Sequence, residues 1–129
     1  MGALVHFLEK IKTLEGTPEE KQHVKELKTD WNLHGGIIKS ILRMRANLFV
    51  NTSTVYEYPM HVDYDFSHSA AILSLNTCDG YTGIEEEDGQ ITKVDSVANR
   101  VVLFDAGKNH YSTTTSDANA RFNIIVNFI

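Results

Sequence analysis

The sequence predicts a mainly β (α+β) fold, an antiparallel sandwich or barrel of short strands preceded by helices. Three observations carry this reading. Apolar residues recur at helical spacing before about residue 36 and shift towards a period of two after it. Turn signals such as Asp79-Gly80 and Asp88-Gly89 then punctuate the chain at short intervals. The final segment alternates, with Phe122, Ile124, Val126 and Phe128 set against Arg121, Asn123, Ile125 and Asn127.

Taken in order, Leu4, Phe7, Leu8 and Ile11 form the apolar face of a first helix that Gly16 stops. Thr17-Pro18-Glu19-Glu20 is a capping box, opening a second helix from about Pro18 to Leu33 with Val24, Leu27 and Trp31 on one side. Gly35-Gly36 ends it. Residues 37–50 fit either a helix face or a strand, and the alternation of Leu42, Met44, Ala46 and Leu48 with Arg43, Arg45 and Asn47 favours the strand. Ala71–Leu75, Gln90–Val94, Arg100–Phe104 and the final segment are further strands. The expected domain is single and spans 1–129, helical over 1–35 and strand-built over 36–129, with the helices on an outer sheet face.

A chain of 129 residues is one domain of ordinary size, and 42% hydrophobic with 22% charged residues reads as globular. A net charge of −5 argues against a nucleic-acid backbone as the main partner. The single cysteine, Cys78, leaves no internal disulfide and suits a reducing, cytoplasmic setting. No apolar run approaches the ~20 residues of a membrane helix, so no membrane association is expected.

The chemistry centres on Met60-His61-Val62-Asp63-Tyr64. In an extended segment residues two apart share a face, so His61 and Asp63 present an imidazole and a carboxylate together. A second imidazole, His110, would complete a set of two histidines and one carboxylate on one face of a metal, leaving three adjacent positions open, as in non-haem Fe(II) oxygenases. Alone, His-x-Asp is most often two surface residues. Arg121 strengthens the signal, because an inward arginine in an apolar strand is costly unless it meets an anion, and its planar fork suits a carboxylate. Bringing these residues together requires strands distant in sequence to be neighbours, which a double-stranded β-helix (jelly roll) supplies. Asp65 shares the parity of Asp63 and is the alternative carboxylate. His6, His23, His34 and His68 are assigned to solvent or helix faces, Arg43 and Arg45 to solvated strand positions, Glu85–Asp88 to a solvated loop, and Cys78 to a half-buried thiol. For Tyr64 and Tyr81, a groove lining and plain packing are equally good explanations.

Several stretches together resemble the Fe(II)/2-oxoglutarate-dependent dioxygenases, and within them the small prolyl-hydroxylase-like group. They are Arg43–Phe49, Tyr58–Tyr64, Leu73–Asn76 with Asp79–Thr82, Val102–Asp105, and His110 through Asn127, in the family's order across roughly residues 40–129. The resemblance implies that His61, Asp63 and His110 ligate Fe(II) and that Arg121 pairs with the distal carboxylate of 2-oxoglutarate, with O2 as the other cosubstrate. Asn123 would contact the same carboxylate, and Asn47 and Tyr58 stand where relatives touch the cosubstrate or flank the metal motif. Phe49 replaces a tyrosine of one related pattern, Gly80-Tyr81-Thr82 keeps one glycine of a Gly-Gly-x-Thr turn, and true prolyl 4-hydroxylases commonly carry lysine at the position of Arg121. The implied activity is hydroxylation of a C–H bond with release of succinate and CO2. Peptidyl proline, another protein side chain, a nucleobase and a free small molecule all stay open as the target, and a partner subunit supplying substrate loops is compatible with the short chain. The rival expectations are a cupin-type metal dioxygenase without a keto acid and a non-enzymatic jelly-roll binding module.

Overall fold

The computed structural model describes residues 38–129. The expected helices, their packing on the sheet, and His6, His23 and His34 lie outside the described residues. The strands fall within the compact unit Ile41–Ile129: β1 Ile41–Val50, β2 Ser69–Ser74, β3 Tyr81–Glu85, β4 Ile91–Asp95, β5 Val101–Asp105, β6 His110–Ser112 and β7 Ala120–Phe128. They form a four-stranded sheet in the order β1-β7-β2-β5 and a three-stranded sheet in the order β4-β3-β6. Every pairing between these strands is antiparallel. After the β3–β4 hairpin the chain crosses between sheets at each connection, so the described residues form an all-β, jelly-roll-like arrangement. β1 resolves the ambiguity of residues 37–50 in favour of a strand. The hairpin turns at Gly89, whose φ of 80° is open to glycine.

β3 and β6 were not foreseen as strands. β3 carries Tyr81, Gly83 and Glu85 on one face and Thr82 and Ile84 on the other. Its apolar content is too low to show a period-two signal, and β6 is only three residues long. Gly80 is likewise no hairpin turn. A Cβ there would lie 2.6 Å from the Thr114 carbonyl oxygen and 2.7 Å from Arg121 Cδ, so the glycine is needed for close approach.

The alternation in β7 is present, and its polar set faces inward. Arg121, Asn123, Ile125 and Asn127 are all buried, whereas Phe122 is exposed on the opposite face. Apolarity falls across the inner face of the larger sheet. Ala70, Ile72, Ala106 and Ile125 form the core with Val102 and Phe104 packed against them, while β1 contributes Arg43, Asn47 and Phe49. The polar side is where the candidate site lies.

On the outer face of the small sheet, Gly83 makes room for the Tyr111 ring, which would lie 2.3 Å from an added Cβ. Tyr111 and Tyr81 both donate their hydroxyls to Glu57, and Lys93 reaches the same carboxylate at 3.4 Å. The Tyr81 hydrogen bond, before the others, holds the Glu57 carboxyl below its ordinary value. Burial, then Glu57, pushes the Tyr111 phenol up to about 12. This cluster fastens the segment around Glu57 to β6, where Tyr58 N donates to Ser112 O and Thr114 N to Tyr56 O. Gly83→Ala is therefore expected to displace Tyr111 and to destabilise the protein by about 1–3 kcal/mol, as overpacked positions do. Denaturant unfolding with an unchanged m-value checks this.

Candidate metal and anion site

His61 does not lie in a regular strand. It makes a single antiparallel bridge to His110, with His61 N donating to His110 O and His110 N to His61 O, both at 2.9 Å. The bridge sets the two imidazoles side by side, with ring centroids 4.7 Å apart. Each ring is then aimed by the carbonyl two residues before it. His61 Nδ1 lies 3.1 Å from Pro59 O and His110 Nδ1 2.8 Å from Lys108 O. A carbonyl only accepts, so each Nδ1 carries a proton and Nε2 is the ring nitrogen turned towards the group.

Both Nε2 atoms approach Asp63, His61 at 3.6 Å from Oδ1 and His110 at 3.7 Å from Oδ2. One ligand atom from each of the three residues lies within 4.8 Å of the other two. His61 is exposed at the mouth, His110 is buried, and the Asp63 side chain is 4% exposed. Two imidazoles that present Nε2, a metal ligand once it carries no proton, and one carboxylate, arranged to leave a side open, fit a divalent transition metal of the non-haem iron type. Asp65 is exposed and is no part of the group.

The Asp63 carboxylate is bound by two further side chains. Arg43 Nη2 lies 3.2 Å from Oδ1, and Asn127 Nδ2 donates to Oδ2 at 2.8 Å. The His110 ring, ahead of Asn127 and Arg43, holds the carboxyl well below its usual range, against the opposing effect of burial. Arg43 is thus not a solvated strand charge. Its position opposite Asn127 in the β1–β7 register turns it inward, and its guanidinium rests over the Tyr64 ring at 5.4 Å. His68 is also not solvent-facing. It is buried, receives an Asn127 Nδ2 contact at its Nε2 (3.3 Å), and donates from Nδ1 to Phe66 O at 2.9 Å. Asn127 escaped the sequence reading although its parity with Arg121 and Asn123 placed it on the same face.

Arg121 is fully buried. It donates to Thr113 O at 3.1 Å and Thr82 Oγ1 at 2.9 Å and lies 5.1 Å from the Phe49 ring centroid. No carboxylate pairs with it among the described residues, and its Nε is buried without a hydrogen-bond partner. Desolvation pulls its pKa below the ordinary arginine value, with the Cys78 sulfur acting in the opposite direction. Cys78 is buried rather than half-buried. Asn123 accepts a 2.8 Å hydrogen bond from Asn47 Nδ2, so these two candidate residues are joined across β1 and β7. Tyr58 stands one ring further out, its exposed side chain against Phe49 at 5.8 Å and Tyr56 at 5.4 Å. Tyr81 points to Glu57 on the outer face, and Tyr64 stacks on Phe66.

The acid side of the stability curve reports on Asp63. Its folded-state pKa is depressed, so its contribution is complete above the ordinary aspartate value of ~3.9 and is lost as the pH falls below it. In metal-free protein, wild type should unfold at a higher temperature than Asp63→Asn near neutrality, and the gap should narrow below about pH 4. Paired thermal melts across that range check the sign.

No protein-family model and no curated protein matches the sequence. Solved structures do match in fold. A prolyl-4-hydroxylase from Pseudomonas putida is 16% identical with a TM-score of 0.57, over 98% of this chain and 76% of that one. AviO1 from Streptomyces viridochromogenes Tue57 is 16% identical with a TM-score of 0.62, over 92% and 63%. An oxidoreductase of the 2OG-Fe(II) oxygenase family from Burkholderia pseudomallei is 14% identical with a TM-score of 0.62, over 84% and 57%. The chain therefore spans less than two thirds of the length of the latter two. At these identities the likeness is one of fold, and it is the fold of a prolyl-4-hydroxylase and of a 2OG-Fe(II) oxygenase family protein.

Proposed function

We propose that this protein is an Fe(II)- and 2-oxoglutarate-dependent dioxygenase that hydroxylates a C–H bond. The observation that carries the proposal is the pairing of two features in one interior: the His61–Asp63–His110 group and a buried Arg121 without an acid partner among the described residues. Of the two inward guanidiniums, Arg43 meets the Asp63 carboxylate and Arg121 meets none among the described residues. A divalent metal adds to the positive excess, and a dianionic keto acid is the ligand that such charge favours.

In this reading His61, Asp63 and His110 hold the iron. The bound metal and keto acid supply the oxidising chemistry, consuming O2 and yielding succinate, CO2 and a hydroxylated product, with one oxygen atom going to each organic product. The remaining work belongs to the protein. The Pro59 and Lys108 carbonyls keep the imidazole protons on Nδ1. Arg121 receives the distal carboxylate of the keto acid, with Asn123 and Asn47 beside it as a joined amide pair. Phe49 covers the guanidinium and keeps water from it. Gly80 leaves the space that the Arg121 stem occupies.

Arg121 is what separates this reading from a cupin-type dioxygenase without a keto acid, and the three converging ligand groups are what separate it from a non-enzymatic jelly-roll module. The hydroxylated group is a peptidyl proline or another side chain in the form of the proposal closest to the sequence resemblance. Succinate release in the absence of a prime substrate is the direct assay. Release should require both Fe(II) and 2-oxoglutarate and should vanish in Asp63→Ala, which should retain its fold and lose its iron. Normal iron content in Asp63→Ala would refute the ligand assignment. Arg121→Ala should raise the 2-oxoglutarate concentration needed by at least tenfold while changing iron affinity far less. An unchanged keto-acid dependence would count against its role.

A further inference from the structure

The three ligand residues are fixed in two different ways. His61 and His110 are located by backbone, through their reciprocal bridge. Asp63 lies at the start of a bend, outside any strand or bridge, so its carboxylate is located by side chains. Arg43 and Asn127 supply that restraint, and they face each other in the β1–β7 register. The amide of Asn127 has only one orientation that satisfies its neighbours. Its Oδ1 accepts from Arg43 Nε and Nη2 at 3.3 and 3.2 Å, and its Nδ2 faces Asp63 Oδ2 and His68 Nε2. A flipped amide would set donors against the guanidinium and its oxygen against the carboxylate. His68 is fixed in turn by Phe66 O. Arg43, Asn127 and Asp63 therefore form a closed ring of hydrogen bonds and an ion pair, anchored by a buried histidine.

We propose that Arg43 is a positioning residue for Asp63, holding the carboxylate in front of His61 and His110 through a charge-assisted contact that Asn127 and His68 brace. The inference deepens the proposed metal site and rests on it. Arg43 answers the carboxylate's charge within the protein, so the third ligand is in place before a metal arrives and its orientation is the same each time one binds. Partners that orient metal ligands in this way typically contribute 10–100-fold to affinity.

The test uses Co(II), whose visible spectrum reports coordination, titrated into metal-free full-length protein without any turnover. Wild type and Asp63→Ala calibrate the site, and Arg43→Met and Arg43→Lys test the inference. The Arg43 side chain is 31% exposed, so its truncation opens no sealed cavity. Should Arg43→Met fail to fold, Arg43→Gln, polar but uncharged, decides on the same readouts. The expected result is a Kd for Co(II) raised at least tenfold in Arg43→Met with an altered visible spectrum, and partial recovery of both in Arg43→Lys. Wild-type affinity and spectrum in Arg43→Met would overturn the inference whatever its thermal stability, leaving the metal site standing. Co(II) binding that is absent from wild type, or unaffected by Asp63→Ala, would overturn the metal site and this inference with it.

Discussion

Two backbone hydrogen bonds between His61 and His110 determine where everything else in the site must be. Two segments far apart in sequence meet there through isolated bridges, His61 to His110 and Glu57 to Thr113, not along a regular strand pair. The bridge sets the separation of the imidazoles, and the carbonyls of Pro59 and Lys108 set their tilt. Neither constraint depends on the identity of a side chain. Asp63 alone is left to be placed by side chains, and the inner faces of β1 and β7 provide them.

That requirement explains the composition of the interior. A core this small would ordinarily be filled with aliphatic groups, yet β7 turns Arg121, Asn123 and Asn127 inward and buries all three. Buried polar groups are tolerated where they are mutually satisfied. Asn47 with Asn123, and Arg43 with Asn127 and Asp63, meet that condition. Arg121 meets it only in part, since its Nε has no acceptor among the described residues. The hydrophobic cluster around Ile72, Ile125 and Phe104 carries the packing on the same inner face, towards β2 and β5. Phe104 also places its ring against His110, 5.0 Å between centroids, so the core meets the site directly.

Much of this was legible in the residues. The parity of β7 identified the inward arginine, and the helix-or-strand ambiguity of residues 37–50 resolved as alternation suggested. The His61, Asp63 and His110 group is together in space, although the extended-strand argument for His61 and Asp63 was not the reason. A bridge followed by a bend aligns them instead. What stayed hidden depends on cross-strand register, which a single sequence does not display. Arg43 looked like a solvated strand charge because nothing local showed that Asn127 stands opposite it. His68 looked ordinary because its partner lies on β7. β3 was missed because its glycine and threonine serve tight contacts with Tyr111 and Arg121, and those contacts displaced the apolar residues that would have marked a strand.

The central claim is that one interior holds a metal on His61, Asp63 and His110 together with a keto acid reaching Arg121. Anaerobic addition of Fe(II) followed by 2-oxoglutarate tests it directly, because a keto acid chelated to Fe(II) gives a visible charge-transfer band that neither component shows alone. The account predicts that band in the wild-type protein, saturating at one equivalent of iron. Its absence, with iron and the keto acid both in excess, would contradict the account.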